Sequence, residues 1–102
     1  MIETCKALAD PARLKILEFL RKPDSQCCTF ADRVCACDVE SLLGLSQPAT
    51  SHHMRILVRA GLVTPEKDGR FIYYRLNHAA FASAVEFFAR FTRPAKRPAR
   101  AA

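Results

Sequence analysis

Asp38-Val39-Glu40-Ser41-Leu42-Leu43-Gly44-Leu45-Ser46-Gln47-Pro48-Ala49-Thr50-Ser51-His52-His53-Met54-Arg55-Ile56-Leu57-Val58-Arg59-Ala60-Gly61 is the stretch that decides the fold. Residues 38–43 have the length of a compact helix, and Gly44 fits the left-handed position that closes one. Ser46 is placed to cap a second helix and Pro48 is tolerated in its first turn, while Thr50, Met54, Leu57 and Val58 recur at the spacing of a buried face. Gly61 ends that helix. Two helices joined by only Gly44-Leu45-Ser46 make a helix-turn-helix, because so short a glycine turn sets the angle between them. Gln47, Ser51, His52, Arg55 and Arg59 remain on the open side.

Downstream, residues 62–67 and 70–76 read as two strands joined by Asp68-Gly69, a pair suited to a tight hairpin turn. Phe71, Tyr73 and Arg75 alternate with Ile72, Tyr74 and Leu76, so one face can lie on the core. A helix-turn-helix followed by a β-hairpin is a winged helix, and the fold expected is mainly α with a β-hairpin wing. Its second helix has the width of the B-DNA major groove. Gln47, Ser51, His52 and Arg55 are the candidate readers of base edges, with Thr50 and His53 nearer the helix flank. Arg70 at the hairpin tip can reach phosphate or the minor groove. The competing reading is a solvated polar helix face beside an ordinary hairpin, which leaves the order of the elements unexplained.

Upstream, Ile2, Cys5 and Leu8 predict a short opening helix, and Asp10-Pro11 reads as an N-cap and first helical position. A helix over residues 11–22 is expected to bury Leu14, Leu17 and Leu20, with Ile16 and Phe19 at its edges, before Pro23-Asp24-Ser25 stops it. Residues 23–37 have no clean period and read as a loop with a short strand near 28–30. The last helix, over residues 77–91, places Phe81, Ala84, Val85, Phe88 and Phe91 on one stripe with Phe87 beside it. That is more apolar surface than a winged helix needs for its own core, so the stripe is expected to form a homodimer interface with the first helix alongside; the alternative is one monomer core. A dimer would set two recognition helices about 34 Å apart, the spacing of a palindrome read across successive major grooves.

The 102 residues suffice for one domain. Residues 1–92 are expected to form the DNA-binding and dimerisation domain, and residues 93–102 a basic, disordered tail. The chain is 50% hydrophobic and 25% charged, a globular composition. Of the net charge of +6, the tail holds +4 and residues 47–76 hold +3, while residues 1–46 sum to −1 and residues 77–92 to zero. The positive excess of the folded body is therefore local, as a DNA contact requires. No apolar run approaches the ~20 residues of a membrane span. The opening residues lack the pattern of a secretory signal, so the expected address is the cytosol, where thiols stay reduced.

Cysteine usage is the least ordinary feature. Cys27, Cys28, Cys35 and Cys37 fall within eleven residues, and Cys35-Ala36-Cys37 places two sulfurs just before a helix N-terminus, whose dipole favours thiolate. Soft thiolates prefer soft ions. Inert buried thiols and redox or persulfide sensing are the competing readings, and the compartment disfavours a structural disulfide. Cys5, on the apolar face of the first helix, reads as core filling and as a minor ligand candidate only across a dimer. His52 and His53 diverge on a helix, and His78 reads as a local polar residue. No glycine-rich phosphate loop, paired carboxylates or Ser/His/Asp arrangement can be made out, so no enzyme is expected.

The order Ala7-Leu8-Ala9-Asp10-Pro11-Ala12-Arg13-Leu14-Lys15-Ile16-Leu17, Cys35-Ala36-Cys37-Asp38, Leu45 to His53, Ala60-Gly61-Leu62-Val63 and Gly69 to Arg75 resembles the ArsR/SmtB family of bacterial metal-sensing repressors across residues 5–76. The resemblance implies a homodimeric winged helix that represses by binding double-stranded operator DNA and leaves it when an inducer binds. It also implies an arsenite-type site at the Cys-X-Cys-Asp box, with Cys35 and Cys37 as two sulfur ligands. The third cysteine of that box falls at Glu40, and Cys27 or Cys28 can replace it. Three thiolates suit trivalent arsenic or antimony, and a fourth suits cadmium, lead or zinc. The family's zinc site on the last helix is poorly matched, with only His78 and Glu86 as ligand types, and is expected to be absent. The alternatives are a repressor of this fold sensing another soft ion or oxidant and sulfur species, and a zinc-stabilised protein-interaction module.

Overall fold

The structure, a computed structural model, describes residues 1–23 and 33–94. Cys27, Cys28 and the strand expected near 28–30 lie outside the described residues, as does the tail from residue 95 onward.

Helix α1, Ile2–Leu8, is followed by α2, Pro11–Arg21. Asp10 caps α2 as its sequence predicts: the carboxylate accepts the Ala12 and Arg13 N–H groups at 2.8 and 3.2 Å, and Pro11 takes the first turn, where no N–H is needed. The face α2 buries differs from the expected one. Ile16 is fully buried with Leu17, Phe19 and Leu20, whereas Leu14 is 48% exposed. At about 100° per residue, Leu14 and Leu20 stand about 120° apart around the helix, while Arg13, Ile16, Leu17 and Leu20 share one face. Cys5 is also corrected: Ala7 is the buried residue of α1, and Cys5 is exposed.

The helix-turn-helix follows a two-residue strand. β1, Val34–Cys35, runs directly into α3, Ala36–Leu43, which starts two residues earlier than expected because Cys35 itself takes the N-cap position. Gly44 closes α3 in the left-handed conformation, φ 64°, and its N–H donates to the Glu40 carbonyl at 2.9 Å. Ser46 then caps α4, Gln47–Arg59, by accepting the Ala49 N–H at 3.3 Å. α4 ends in a Schellman motif, with Leu62 N–H on the Leu57 carbonyl at 3.1 Å and Gly61 N–H on that of Val58 at 2.9 Å. Gly61 adopts φ 77° there, a conformation a side chain would strain.

The wing is β2, Val63–Asp68, and β3, Phe71–Leu76, and β1 adds a third antiparallel strand in the order β1-β3-β2. Val34 faces Tyr74 and Cys35 faces Tyr73 across one side of β3, while Glu66 faces Tyr73 across the other. Tyr74 joins the core, but Tyr73 is also buried and Ile72 is 42% exposed, so the simple two-face alternation fails where β1 covers the sheet. Asn77 ties the wing's end to that of α4 through Nδ2 on the Gly61 carbonyl, 2.8 Å, and its own N–H on that of Leu62, 2.9 Å. The last helix, α5, is His78–Ala89, shorter at both ends than expected.

One core joins these elements: Ala7, Ile16, Leu17, Phe19, Leu20, Val34, Val39, Met54, Leu57, Leu62, Val63 and Tyr74. Burial of such side chains contributes roughly 1.5–3 kcal/mol each before conformational entropy is charged against it. Ala84 is the buried residue of α5, while Val85 and Phe88, and Phe91 just beyond the helix, are 68, 46 and 70% exposed. The described residues contain no helix long and apolar enough to cross a membrane.

Candidate nucleic-acid interface and thiol site

The open face of α4 follows from which of its side chains the core consumes. Thr50, Met54 and Leu57 point inward, so Gln47, His52, Arg55 and Arg59 are exposed and Ser51 is half-buried at their centre. Gln47 Nε2 donates to Ser51 Oγ at 2.7 Å, which holds the amide along the helix. Thr50 departs from its place among the candidate readers: it is 3% exposed, and its hydroxyl is turned into the protein without a partner among the described residues. Arg70 lies at the exposed hairpin tip. The surface of α4 and the wing thus offers amide, hydroxyl, imidazole and guanidinium groups of the kind that pair with base edges and phosphates.

His53 is half-buried, and Arg13 holds it. The Arg13 guanidinium reaches from α2 to His53 Nδ1 at 3.1 Å while Nε donates to the Ala7 carbonyl at 2.7 Å and Nη2 to that of Lys6 at 3.3 Å. Asp10 Oδ2 lies 3.8 Å from the same group. Arginine carries only donors, so in this contact Nδ1 is the acceptor. One buried cation therefore joins α1, α2 and α4. Sequence reasoning missed this residue, though a signal existed: Arg13 lies on the same helical stripe as Ile16, Leu17 and Leu20, and a cation on a buried stripe needs partners. The rings of His52 and His53 are 5.8 Å apart and inclined at 57°, facing different surroundings.

The second site lies at the start of α3. Cys35, 2% exposed, ends β1 and occupies the N-cap position, and Cys37 is half-buried one residue into the helix beyond Ala36. Their sulfurs are 2.9 Å apart, the Cys37 thiol donating to Cys35. Two soft donors already converge at the first turn of α3 and supply two of the ligands a thiophilic ion would need. Asp38 is buried beside them. No group of three potential metal ligands forms among the described residues, and Cys27 and Cys28 lie outside them. His78 and Glu86 are exposed on α5.

Exposed apolar side chains include Ile2 of α1, Val85 and Phe88 of α5, Phe91 just beyond it, and Leu14 of α2, which stands beside the start of α5. A groove of about 590 Å³ beside Leu14 is lined by Leu8, Leu14, Leu17, Leu76, His78 and Phe81.

Residues 10–64 match the family described as "Bacterial regulatory protein, arsR family". The chain is 40% identical over 81 residues to the arsenical resistance operon repressor of Staphylococcus aureus, covering 79% of this chain and 69% of that protein. It is 32% identical to the cadmium resistance transcriptional regulatory protein CadC of Listeria innocua, again over 79% of this chain but 61% of the relative. In three dimensions it resembles the crystal structure of a possible transcriptional regulator for arsenical resistance, with a TM-score of 0.73 and 30% identity over 92% of this chain and 88% of that one. A winged helix with a polar, cationic recognition face and this similarity over most of its length has one reading: the chain belongs to the arsR family of bacterial regulatory proteins, DNA-binding transcription regulators and not enzymes.

Proposed function

We propose that this chain is a homodimeric repressor that grips a palindromic operator and releases it when trivalent arsenic or antimony binds its cysteine thiolates. The observation that carries the reading is the 2.9 Å approach of the Cys35 and Cys37 sulfurs at the first turn of α3, the helix that supports α4. Gln47, Ser51, His52 and Arg55 read base edges, Arg59 and Arg70 meet phosphate, and Arg13 holds His53 at the flank. Residues 1–92 act as one DNA-binding and dimerisation domain, and residues 93–102 are a basic tail. The protein works in the cytosol, where operator and reduced thiols coexist. The exposed stripe of Val85, Phe88 and Phe91 joins two copies and sets the spacing of their recognition helices.

Three thiolates are the natural set for trivalent arsenic, and the third comes from Cys27 or Cys28. The names borne by the relatives, arsenical and cadmium resistance, agree with a soft inducer. An ion that binds the DNA-incompetent arrangement better by about 1–3 kcal/mol weakens operator binding about 5–150-fold. The test is native mass spectrometry of the reduced protein with arsenite, paired with fluorescence anisotropy of a duplex from its own promoter. The dimer should gain arsenic with loss of three thiol protons per atom and leave the DNA, and Cys37→Ser should bind DNA normally but ignore arsenite. A Cys37→Ser dimer still released by arsenite would sink the site.

The sulfur separation also favours a second reading. Two thiols this close are one two-electron oxidation from a disulfide, with a peroxide accepting the electrons and both protons leaving in water. Release by hydrogen peroxide, with no release by arsenite, would select that reading.

A further inference from the structure

Arg33 directly connects two strands that the sheet joins only through β3 among the described residues. It stands immediately before β1, two residues from Cys35. In the sheet order β1-β3-β2, among the described residues the strand bearing Cys35 pairs with β3 and reaches the outer strand β2 only through it. The Arg33 side chain makes the direct tie. Its guanidinium carbon lies 4.0 Å from the centroid of the Tyr73 ring on β3, one arm bonds the Glu66 carboxylate, and the other donates to Asp68 Oδ2 at 3.0 Å, both acids being on β2. Arg75 Nη2 meets the other Glu66 oxygen at 3.2 Å. Tyr73, the ring Arg33 crosses, is also the register partner of Cys35 on one side and of Glu66 on the other. Cys35, Tyr73 and Glu66 therefore form one row across the sheet, and Arg33 lies along it. The side chain is 16% exposed although it carries a charge, because two carboxylates and an aromatic face replace its water.

We propose that Arg33 is a positioning residue that fixes the wing against the cysteine strand and so makes the pose of the wing depend on what Cys35 and Cys37 hold. The inference rests on the soft-ion reading of that site and adds the route from site to DNA. With the site empty, the clamp sets the angle of the β2–β3 hairpin and aims Arg70 at its tip. An ion that draws the two sulfurs to its own coordination distances moves the end of β1. β1 cannot shift against β3 without Arg33 either leaving Glu66 and Asp68 or pulling them with it. Both outcomes move β2, and Arg70 leaves the phosphate it meets in the repressed state. The planar guanidinium matters here more than its charge, since only a rigid fork grips two carboxylates and stacks on a ring at once.

The test compares wild type, Arg33→Gln, Arg33→Lys and Asp68→Asn in the full chain. Three quantities are read: arsenite uptake by native mass spectrometry, anisotropy of a labelled duplex from its own promoter with and without arsenite, and hydrogen exchange of the β2 and β3 amides. Arg33→Gln should take up arsenite as wild type does, exchange its β2 amides at least about 5-fold faster, and lose affinity on arsenite addition by less than about 3-fold where wild type loses 5–150-fold. Arg33→Lys should rescue only part of this, because it keeps the charge and loses the fork. Asp68→Asn, at an exposed residue that cannot threaten the fold, should show a smaller change of the same direction. Wild-type exchange in Arg33→Gln, or an undiminished arsenite effect, overturns the proposal and leaves the sensor reading intact. A wild-type dimer that arsenite does not release overturns the sensor reading and the coupling together, and the exchange rates still decide whether Arg33 positions the wing.

Discussion

Replacing Phe88 tests whether the apolar side of α5 is a dimer interface. Phe88 is 46% exposed, which for a side chain of about 200 Å² leaves about 90 Å² for a partner to cover. At about 25 cal/mol per Å² that area contributes about 2 kcal/mol per protomer. A twofold axis uses the same patch twice, giving about 4 kcal/mol per dimer, so Phe88→Ser should raise the dimer dissociation constant roughly a thousandfold. Phe88 also packs edge-on against Phe87 at 5.3 Å between centroids, so the monomer will lose some stability too. Val85→Ser separates the effects, since Val85 is 68% exposed and has little to lose within one chain. Sedimentation equilibrium over a range of concentrations reads the dissociation constant, and thermal unfolding reads the monomer. A wild type that sediments as a monomer at micromolar concentration, or a Phe88→Ser chain that associates as tightly as wild type, would refute the reasoning.

Arg55→Ala should weaken binding to the promoter duplex by about 1–3 kcal/mol, and the salt dependence sorts its role: a slope reduced by about one unit marks a phosphate contact, an unchanged slope a base contact. Unaltered affinity would remove Arg55 from the interface. Asp10 gives a pH prediction. Loss of solvation pushes its carboxyl up, but the Arg13 and Ala12 N–H groups and the nearby Arg13 charge outweigh this and hold it below 3.8. Its stabilising effect is therefore complete above 3.8, the unfolded value, and is lost as pH falls through the lower folded value. Asp10→Asn should lower the melting temperature at pH 7 and converge with wild type in strong acid; a constant difference across the acid range would contradict the assignment. Cys35→Ser should abolish arsenite uptake yet shift stability by no more than about 1 kcal/mol, because its hydroxyl can cap α3 where the sulfur does not. A loss above about 3 kcal/mol would show that burial of the sulfur outweighs the cap.

What the sequence revealed and what it concealed divide along physical lines. Chain reversals were legible because single residues enforce them: Asp10-Pro11 and Ser46 start helices with side-chain acceptors, and Gly44 and Gly61 stop them with conformations other residues resist. The choice of buried face on α2 was not, because three leucines at intervals of three drift around a helix and mimic a stripe. Leu14 is exposed in the single chain, while the polar-looking Arg13 is buried because the carbonyls of Lys6 and Ala7 and the ring of His53 receive it. Those partners lie six, seven and forty residues away, beyond any local period. β1 escaped detection for another reason: two residues cannot display alternation, and only pairing with β3 makes Val34 and Cys35 a strand. Thr50 was legible twice, as a core position by spacing and as a reader by chemistry, and spacing prevailed because a helix position can face only one way.

The cysteine pair was legible from composition, but its place in the mechanism depends on structure. Asp10 and Ser46 cap α2 and α4 with oxygen acceptors, whereas the corresponding residue of α3 is Cys35, which makes no side-chain capping bond. A good cap is worth about 0.5–2 kcal/mol, so sulfur at this position forgoes stability that an aspartate or serine would supply. What it gains is a soft sulfur donor at the start of α3, 2.9 Å from that of Cys37. The same residue closes the strand that faces Tyr73, beside the Arg33 clamp on the wing. A residue that begins the helix packed against α4 and ends the strand paired with β3 is joined through the backbone to the supports of both α4 and the wing. On the proposed reading, the effect of a ligand held there need not cross the core, because displacing Cys35 would move the supports of α4 and of the wing directly.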